Sequence, residues 1–235
     1  MSSRAVCDDL SARTGGELRA WPVDGGRAGT VAAVSSDVPP PSAASVDEVI
    51  AALLAGACVG IPTDTVYGIA ARLDDPVAIE ALFALKGRAA TKAMAVLVDE
   101  FETAAELGHF DGVATDLARR FWPGPLTLVV RRREGVVADL GGDHATIGVR
   151  CPDHDVVRDL ARAVGPIVTT SANRTGEPTI ETAADIAAAF GPGLAAVLDG
   201  GRLSDAASTV VDVTGTGLVV LREGPISTAE LTDLS

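Results

Sequence analysis

The chain is poor in residues that cross-link or anchor a protein. Its three cysteines, Cys7, Cys58 and Cys151, form no CxxC pair, so neither a disulfide framework nor a structural zinc site is expected. No stretch approaches the roughly 18 uninterrupted apolar residues of a membrane-spanning helix. These absences predict a cytoplasmic protein with free thiols and no membrane contact. Because aromatic residues make up only 3% of the chain, the core must be built from Ala, Val, Leu and Ile.

The sequence also lacks the short motifs of the commonest nucleotide-binding and hydrolytic sites. It contains no GxxxxGK[ST], no GxGxxG and no HExxH, which argues against a P-loop, a dinucleotide-binding turn and a zinc-protease helix. No GxSxG is present either, which argues against a hydrolase built on a nucleophile elbow. The function must therefore be sought in polar residues that belong to none of these motifs.

Basic residues are fewer than acidic residues, and nearly all of them are arginines. Lys plus Arg is 19 against 32 for Asp plus Glu, giving a formal net charge of -13. Such a field repels polyphosphate at long range, which argues against nucleic-acid binding by the whole surface but is compatible with a local basic cleft. The only lysines, Lys86 and Lys92, lie close together. This placement marks a segment in which a compact ammonium group is preferred to a guanidinium.

Hydrophobic periodicity predicts an α/β protein. Residues 1–42 are rich in small residues and end near three consecutive prolines, and we interpret them as an N-terminal extension and linker. In residues 43–235, helical patterns such as VDEVIAALLAG, preceded by the N-cap candidate Ser45, alternate with apolar strand patterns such as MAVLV. Three strand patterns then follow one another near the C-terminus. This order predicts a single catalytic domain with a twisted mixed sheet and flanking helices.

Polar residues follow the first predicted strand in the run PTDTVYG. Thr63, Asp64 and Thr65 come directly after that strand, and Tyr67 is the only tyrosine of the chain. Active sites of α/β sheets tend to lie beyond strand ends, which favours a binding role. The alternative is a turn in which the Asp and Thr side chains bond to the local backbone. Taken alone, the motif favours the turn.

The KGR run, residues 86–88, stands at the end of a predicted helix. Lys86 as a point charge and Arg88 as a planar fork would suit a phosphate clamp. The alternative is that these basic residues complement the negative end of the helix dipole. Both interpretations fit the sequence equally well.

The densest group of polar donors follows the apolar strand pattern GPIV. The loop TTSANRTGEPT carries several hydroxyl residues and Asn173, which can present hydroxyls, an amide and backbone N–H groups to a phosphate or sugar. A polar surface loop is the alternative. Arg150, Ser208 and Arg222 stand at the ends or starts of other strand patterns, and an arginine there suits a carboxylate or phosphate.

Two further runs are given structural roles. The WPGP run, residues 122–125, predicts a rigid turn between a helix and a strand, with Thr127 as a candidate lining residue of the site. The RRR run, residues 131–133, is interpreted as a solvated strand end and not as a nucleic-acid patch.

The order of these motifs resembles that of the YrdC-type family, whose best-known members are the threonylcarbamoyl-AMP synthases. The resemblance covers about residues 45–230 and comprises PTDTVYG, KGR, WPGPLT, VRCPDH, TSANRTGEP, DGG, STVVD and LREG. No single motif is specific, but eight in order give a strong signal. The resemblance implies a twisted α/β fold with a large concave cavity. It also implies a nucleotidyltransferase that makes threonylcarbamoyl-AMP and pyrophosphate from L-threonine, bicarbonate and ATP, for the threonylcarbamoyladenosine modification of tRNA.

The resemblance further assigns roles to individual residues. The family's KxR…SxN signature at the nucleotide site is matched by Lys86, Arg88, Ser171 and Asn173, of which Lys86 and Arg88 are the predicted catalytic residues. The predicted ATP-binding set is completed by Thr146, Thr179 and Arg222. The predicted threonine-binding set is Thr63, Arg150, Thr169 and Ser208. No metal ligands are assigned to the protein, and Mg²⁺ is expected to arrive with ATP.

The resemblance implies that the product passes to tRNA threonylcarbamoyl-transferase proteins, and a weak contact with RNA is compatible with it. Two alternatives stay open: a non-catalytic RNA-binding or ribosome-maturation relative, and a relative that adenylates another carbamoyl group. The chain departs from the family pattern after KGR, where Ala89 and Ala93 stand in place of prolines. Loss of these prolines predicts a more flexible loop or a reshaped entrance, which keeps the second alternative open.

Overall fold

The computed structural model describes residues 43–87 and 93–233. The predictions for the extension at residues 1–42 and for Arg88 and Ala89 lie outside these described residues.

Seven α-helices occur in the described residues, and each corresponds to a helical pattern in the sequence. Ser45 begins the first of them with a capping box, in which its hydroxyl accepts the Glu48 N–H and the Glu48 carboxylate accepts the Ser45 N–H. None of these helices is long and apolar enough to cross a membrane. Their bounds are α1 Val46–Leu54, α2 Pro76–Lys86, α3 Phe101–Leu107, α4 Val113–Phe121, α5 Asp155–Val164, α6 Ala183–Phe190 and α7 Thr228–Thr232.

The described strands form one twisted sheet in the order β10-β9-β5-β6-β3-β7-β2-β1-β8, with β4 paired to β5. Three pairs, β1–β8, β3–β6 and β5–β9, are parallel, and the others are antiparallel, which confirms the predicted mixed sheet. The two-residue strand β4 was not predicted, because so short a strand shows no alternation. The bounds are β1 Val59–Ile61, β2 Gly68–Arg72, β3 Ala95–Leu97, β4 Gly108–His109, β5 Leu126–Arg132, β6 Thr146–Arg150, β7 Ile167–Ser171, β8 Ala196–Val197, β9 Thr209–Asp212 and β10 Val219–Arg222.

Buried apolar side chains form two clusters that share the central strands. Successive strand residues point to opposite faces, so Val96 and Val168 join a large cluster that includes α2, α3, α4 and α6. Their neighbours Leu97 and Ile167 join a smaller cluster with α1 and α5. Helices therefore flank both faces of the sheet, as the alternating pattern predicts.

Two cysteines lie in the core. Cys58 and Cys151 are buried and form no disulfide. Burial is the main cause that raises the pKa of each thiol to about 11, so both stay protonated near neutral pH. The prediction of free buried thiols is confirmed for these two residues, while Cys7 lies outside the described residues.

Strands β2 and β7 approach each other so closely that one position requires glycine. Gly68 pairs with Ser171, and a methyl group added at Gly68 would lie 2.5 Å from Thr169 Oγ1. That hydroxyl donates a hydrogen bond to the Ile69 carbonyl at 3.2 Å. A side chain at position 68 would therefore displace the Thr169 hydroxyl from its place on the sheet.

We expect Gly68→Ala to lower the free energy of unfolding by about 1–3 kcal/mol, because the added methyl group overpacks the β2–β7 pair. Urea denaturation would measure this loss. Gly135→Ala is the matched control, since nothing lies within 4 Å of its added methyl group, and it should change stability by less than about 0.5 kcal/mol. Equal stability of Gly68→Ala and the wild type would contradict the close approach.

Candidate active site

One face of the sheet opens into a cavity of about 490 Å³, which falls in the range of small-molecule sites, roughly 300–1,000 Å³. Alternate residues of the central strands face it, as strand geometry requires. These residues are Thr127 and Val129 on β5, Thr146, Gly148 and Arg150 on β6, Ala95 and Leu97 on β3, and Thr169 and Ser171 on β7. The cavity floor is therefore the sheet itself.

With two exceptions, the side chains that the resemblance assigned to ATP and threonine line this one cavity. The lining members are Thr63, Lys86, Thr146, Arg150, Thr169, Ser171, Asn173, Ser208 and Arg222. Thr179 is half-buried and is not part of the lining, and Arg88 lies outside the described residues. The fold thus brings together residues that are widely separated in the sequence.

Arg150, at the end of β6, is a buried cation of the cavity, with 5% exposure. Its Nε donates to the Gly124 carbonyl at 3.0 Å, Nη1 to Thr65 Oγ1 at 3.0 Å and Nη2 to Asp64 Oδ1 at 2.5 Å. Loss of water lowers the pKa of the guanidinium, and Asp64 opposes that shift. An arginine remains charged under such conditions, so the cavity contains a fixed, oriented cation.

The PTDTVYG run forms a turn and also contributes to the cavity. Thr63 Oγ1 donates to the Val66 carbonyl at 2.6 Å and accepts the backbone N–H groups of Thr65 and Val66 at 3.2 Å. Thr63 and Thr65 line the cavity, whereas Asp64 pairs with Arg150. Both interpretations of this motif therefore hold: local backbone bonds shape the turn, and the turn presents its hydroxyls to the site.

Tyr67 is fully buried and holds the DGG loop. Its hydroxyl accepts the Gly200 N–H at 2.8 Å and donates to the Gly201 carbonyl at 2.7 Å. Burial raises the pKa of this phenol, and the Gly200 N–H opposes that shift. The only tyrosine of the chain thus fixes a loop beside the cavity that it also lines.

Lys86 joins the end of α2 to the loop after β7. Its ammonium group is buried and donates to the Ser171 carbonyl, to Ser171 Oγ at 3.2 Å and to Asn173 Oδ1 at 2.5 Å. Thr175 Oγ1 donates in turn to the Lys86 carbonyl at 3.2 Å. Lys86, from the KxR half of the signature, is therefore in direct contact with Ser171 and Asn173, from the SxN half.

Ser208 and Arg222 form a second polar group in the cavity lining. Ser208 Oγ lies 2.9 Å from Thr127 Oγ1 and accepts from Arg222 Nη2 at 3.0 Å, while Arg222 Nε donates to the Ser208 carbonyl at 2.9 Å. Thr127 thus lines the site as expected. This contact fixes the orientation of the Arg222 guanidinium at the cavity rim.

Within the described part of the chain, no neighbouring carboxylate neutralises the charge of Arg222. Partial loss of water lowers the pKa of Arg222, and the positive charge of Arg150 lowers it further. In residues 43–87 and 93–233 no carboxylate lies within 4.0 Å of the Arg222 guanidinium. A carboxylate or phosphate bound between the two arginines would offset their repulsion.

The interpretation of RRR as a solvated strand end is wrong for its middle residue. Arg131 and Arg133 are exposed, but Arg132 is half-buried and lines the cavity. Along β5, alternation places Arg132 on the face of Leu128 and Val130, opposite Thr127 and Val129, which face the cavity. The strand pattern therefore carried no signal that the Arg132 side chain lines the cavity.

Fold and site together define a mixed α/β protein whose cavity is built to bind a small anionic ligand. Residues 51–224 match the sequence profile of the Sua5/YciO/YrdC family, which is described as telomere recombination. The chain belongs to this family.

Named relatives cover most of the chain. A Mycobacterium tuberculosis protein named "Putative threonylcarbamoyl-AMP synthase" is 41% identical over 188 residues, which are 79% of this chain and 86% of the relative. The threonylcarbamoyl-AMP synthase of Pyrococcus abyssi is 36% identical over 179 residues, covering 75% of this chain and 53% of that protein. The family resemblance inferred from the motifs is confirmed.

Solved structures agree with the fold. The crystal structure of P. abyssi Sua5 complexed with L-threonine superposes with a TM-score of 0.76 at 33% identity, over 80% of this chain and 56% of the other. E. coli YciO gives a TM-score of 0.74 at 23% identity, over 79% of this chain and 92% of the other, a likeness that concerns the fold alone. The predicted fold class is confirmed.

We expect Asp64→Ala to lower the free energy of unfolding by about 3–5 kcal/mol, because it leaves the buried Arg150 cation without its carboxylate. Chemical denaturation would measure the loss. Asp159→Ala is the control, because Asp159 pairs at 2.6 Å with Arg162 and both side chains are more than half exposed. Its loss should stay below about 1 kcal/mol. Equally small losses in both variants would show that Arg150 does not depend on Asp64.

Proposed function

We propose that this protein is a threonylcarbamoyl-AMP synthase. It is a nucleotidyltransferase that converts L-threonine, bicarbonate and ATP into threonylcarbamoyl-AMP, pyrophosphate and water. The observation that carries this proposal is the meeting of the predicted ATP-binding and threonine-binding residues in one cavity. The product is passed on to the proteins that transfer threonylcarbamoyl to tRNA.

The two predicted substrate sets touch each other. Ser208, of the threonine set, accepts a hydrogen bond from Arg222, of the ATP set, at 3.0 Å. Thr65, which is not itself in either set, joins two members of the threonine set: its Oγ1 lies 3.0 Å from Thr63 Oγ1 and accepts from Arg150 Nη1 at 3.0 Å. Substrates held by these residues would have their reacting ends side by side, which a bimolecular transfer requires.

Arg150 is the group best placed to hold the carboxylate of threonine. Its planar fork matches a carboxylate, and three hydrogen bonds fix its orientation before the substrate arrives. The hydroxyls of Thr63, Thr169 and Ser208 line the same region and supply donors and acceptors for the amino-acid side chain and carbamate. An oriented site of this kind saves the ordering cost that a mobile arginine would incur.

Lys86 and Arg222 supply positive charge to the phosphates of ATP. Lys86 is fixed by Ser171 and Asn173, so its charge does not need to be reorganised when the nucleotide binds. Such preorganised charge stabilises the phosphate oxygens most strongly in the transition state.

The reaction then needs positioning more than a reactive side chain. The threonine amine, once neutral, adds to carbon dioxide derived from bicarbonate and loses a proton, which gives a carbamate. A carbamate oxygen attacks the α-phosphorus of ATP, and the bond to the bridging oxygen breaks in line to release pyrophosphate. Placement and charge neutralisation provide most of the catalysis in this class of transfer.

In this proposal, Mg²⁺ binds to the protein together with ATP. Within the described parts of the chain, no three His, Cys, Asp or Glu side chains are grouped closely enough to hold a metal ion. Mg²⁺ commonly keeps several waters and binds through substrate phosphates. Phosphate oxygens and water would therefore be its main ligands here.

We expect pyrophosphate release from Mg-ATP and bicarbonate to depend on L-threonine. Serine and alanine are the controls for the side chain, because serine lacks the methyl group of threonine and alanine lacks both the methyl and the hydroxyl group. Threonine-dependent release together with a new adenylate product, identified by mass spectrometry, would establish the activity. ATP binding without amino-acid-dependent release would contradict it and would favour a relative that acts on another carbamoyl donor or binds RNA.

We expect Lys86→Ala to reduce pyrophosphate release by about 100- to 1,000-fold, because it removes a preorganised donor from the transition state. Circular dichroism should show the wild-type fold. Arg119→Ala, which removes an exposed cation at the end of α4, should keep the wild-type rate. Wild-type turnover by Lys86→Ala would reject the assigned role.

A further inference from the structure

Arg132 is a cavity cation to which the substrate sets above give no role. It ends β5, is half-buried and contributes to the cavity wall. Its neighbours Arg131 and Arg133 are exposed. Arg131 lies 3.9 Å from Asp111, and Arg133 Nε donates to the Ala105 carbonyl. Arg132 is therefore the one arginine of the RRR run whose side chain is not simply exposed to solvent.

The Arg132 guanidinium fixes one wall of the cavity by two hydrogen bonds. Its Nε donates to the Thr146 carbonyl at 3.1 Å, and its Nη1 donates to the Ala138 carbonyl at 2.7 Å. These two carbonyls bracket a segment whose residues Leu140, Gly141 and Thr146 line the cavity. Arg132 is thus hydrogen-bonded to the backbone of Thr146, a residue of the predicted ATP set.

Further N–H groups of Arg132 have no partner in the described residues. A guanidinium carries five N–H donors, and the hydrogen bonds of the Arg132 side chain use Nε and Nη1 only. Nη2 makes no hydrogen bond and no ion pair within residues 43–87 and 93–233. The unused edge of the fork therefore remains able to donate to a ligand in the cavity.

The charge of Arg132 is only weakly compensated. Loss of water lowers the pKa of its guanidinium, while Asp139 and Asp143 act from a distance to raise it. Neither carboxylate is within 4.0 Å, since no ion pair of Arg132 occurs in the described ranges. A half-buried cation with unused donors is a favourable partner for a phosphate, which accepts paired hydrogen bonds from arginine.

We propose that Arg132 binds the phosphate chain of ATP, holding the Thr146 wall with Nε and Nη1 and donating to phosphate oxygen from Nη2. This inference rests on the proposed function and adds a further phosphate-binding residue to that site. In this arrangement, the charges of Lys86, Arg222 and Arg132 are distributed around the phosphate chain. L-Threonine, held by Arg150, does not depend on Arg132.

The inference is tested by calorimetric titration of the full-length protein with Mg-ATP, with magnesium pyrophosphate and with L-threonine. We expect Arg132→Gln to weaken binding of Mg-ATP and pyrophosphate by about 10- to 100-fold, the effect of one charged hydrogen bond. Its dissociation constant for L-threonine should change less than about twofold. Arg132→Lys, which keeps the charge without the fork, should recover part of the loss.

Arg131→Gln is the matched control, because it removes an exposed arginine one residue away, and it should leave all three dissociation constants unchanged. Unaltered ATP binding by Arg132→Gln would overturn the inference while leaving the proposed function intact. Equal weakening of ATP binding and threonine binding, or Arg132→Lys binding ATP no better than Arg132→Gln, would show that Arg132 only maintains the structure of the cavity wall. If the wild type itself bound neither Mg-ATP nor pyrophosphate, the proposed function would be rejected together with the inference.

Discussion

The buried guanidinium of Arg150 joins three parts of the chain that are distant in sequence. It connects the end of β6 to the Gly124 turn and to the turn that carries Asp64 and Thr65. The geometry at Gly124 is strict, because an added Cβ would lie 2.3 Å from the Phe121 carbonyl. The second carboxylate oxygen of Asp64 is buried without a hydrogen-bond partner in the described structure, so Arg150 provides its main compensation. The positions of the Thr65 and Thr63 hydroxyls in the cavity depend on this buried pair.

The cations of the cavity lining reconcile an acidic protein with an anion-binding cavity. The formal net charge is -13, yet three arginines and a lysine face the cavity, and among these arginines only Arg150 has an ion pair within the described residues. Long-range repulsion is screened beyond roughly 10 Å in salt, whereas partly desolvated charges act strongly at short range. A small anion that enters the cavity therefore meets positive potential, while an extended polyanion meets the acidic exterior. This distribution favours the nucleotide-dependent enzyme over the RNA-binding relative.

Local patterns predicted most of the fold, because amphipathic helices and apolar strands are visible in single segments. Motif order predicted the family and placed Lys86 beside Asn173, although the local alternatives for KGR were evenly balanced. The sequence could not show that Asp64 pairs with Arg150 or that Arg132 turns towards the cavity, since both depend on contacts between distant segments. Thr179, which motif order assigned to ATP, lies outside the cavity lining of the described structure, and its role stays a prediction.

A site of this composition constrains the chemistry that it can perform. Cys58 and Cys151, with thiol pKa values near 11, are protonated at neutral pH, and neither lines the cavity. Thr127 and Ser208, 2.9 Å apart, have no histidine beside them in the lining to remove a proton. Covalent catalysis through these side chains is therefore disfavoured, because an unactivated hydroxyl or buried thiol is a weak nucleophile. The groups that remain are fixed cations and hydroxyl donors, which suit a reaction whose nucleophile, the carbamate, is formed from the substrates themselves.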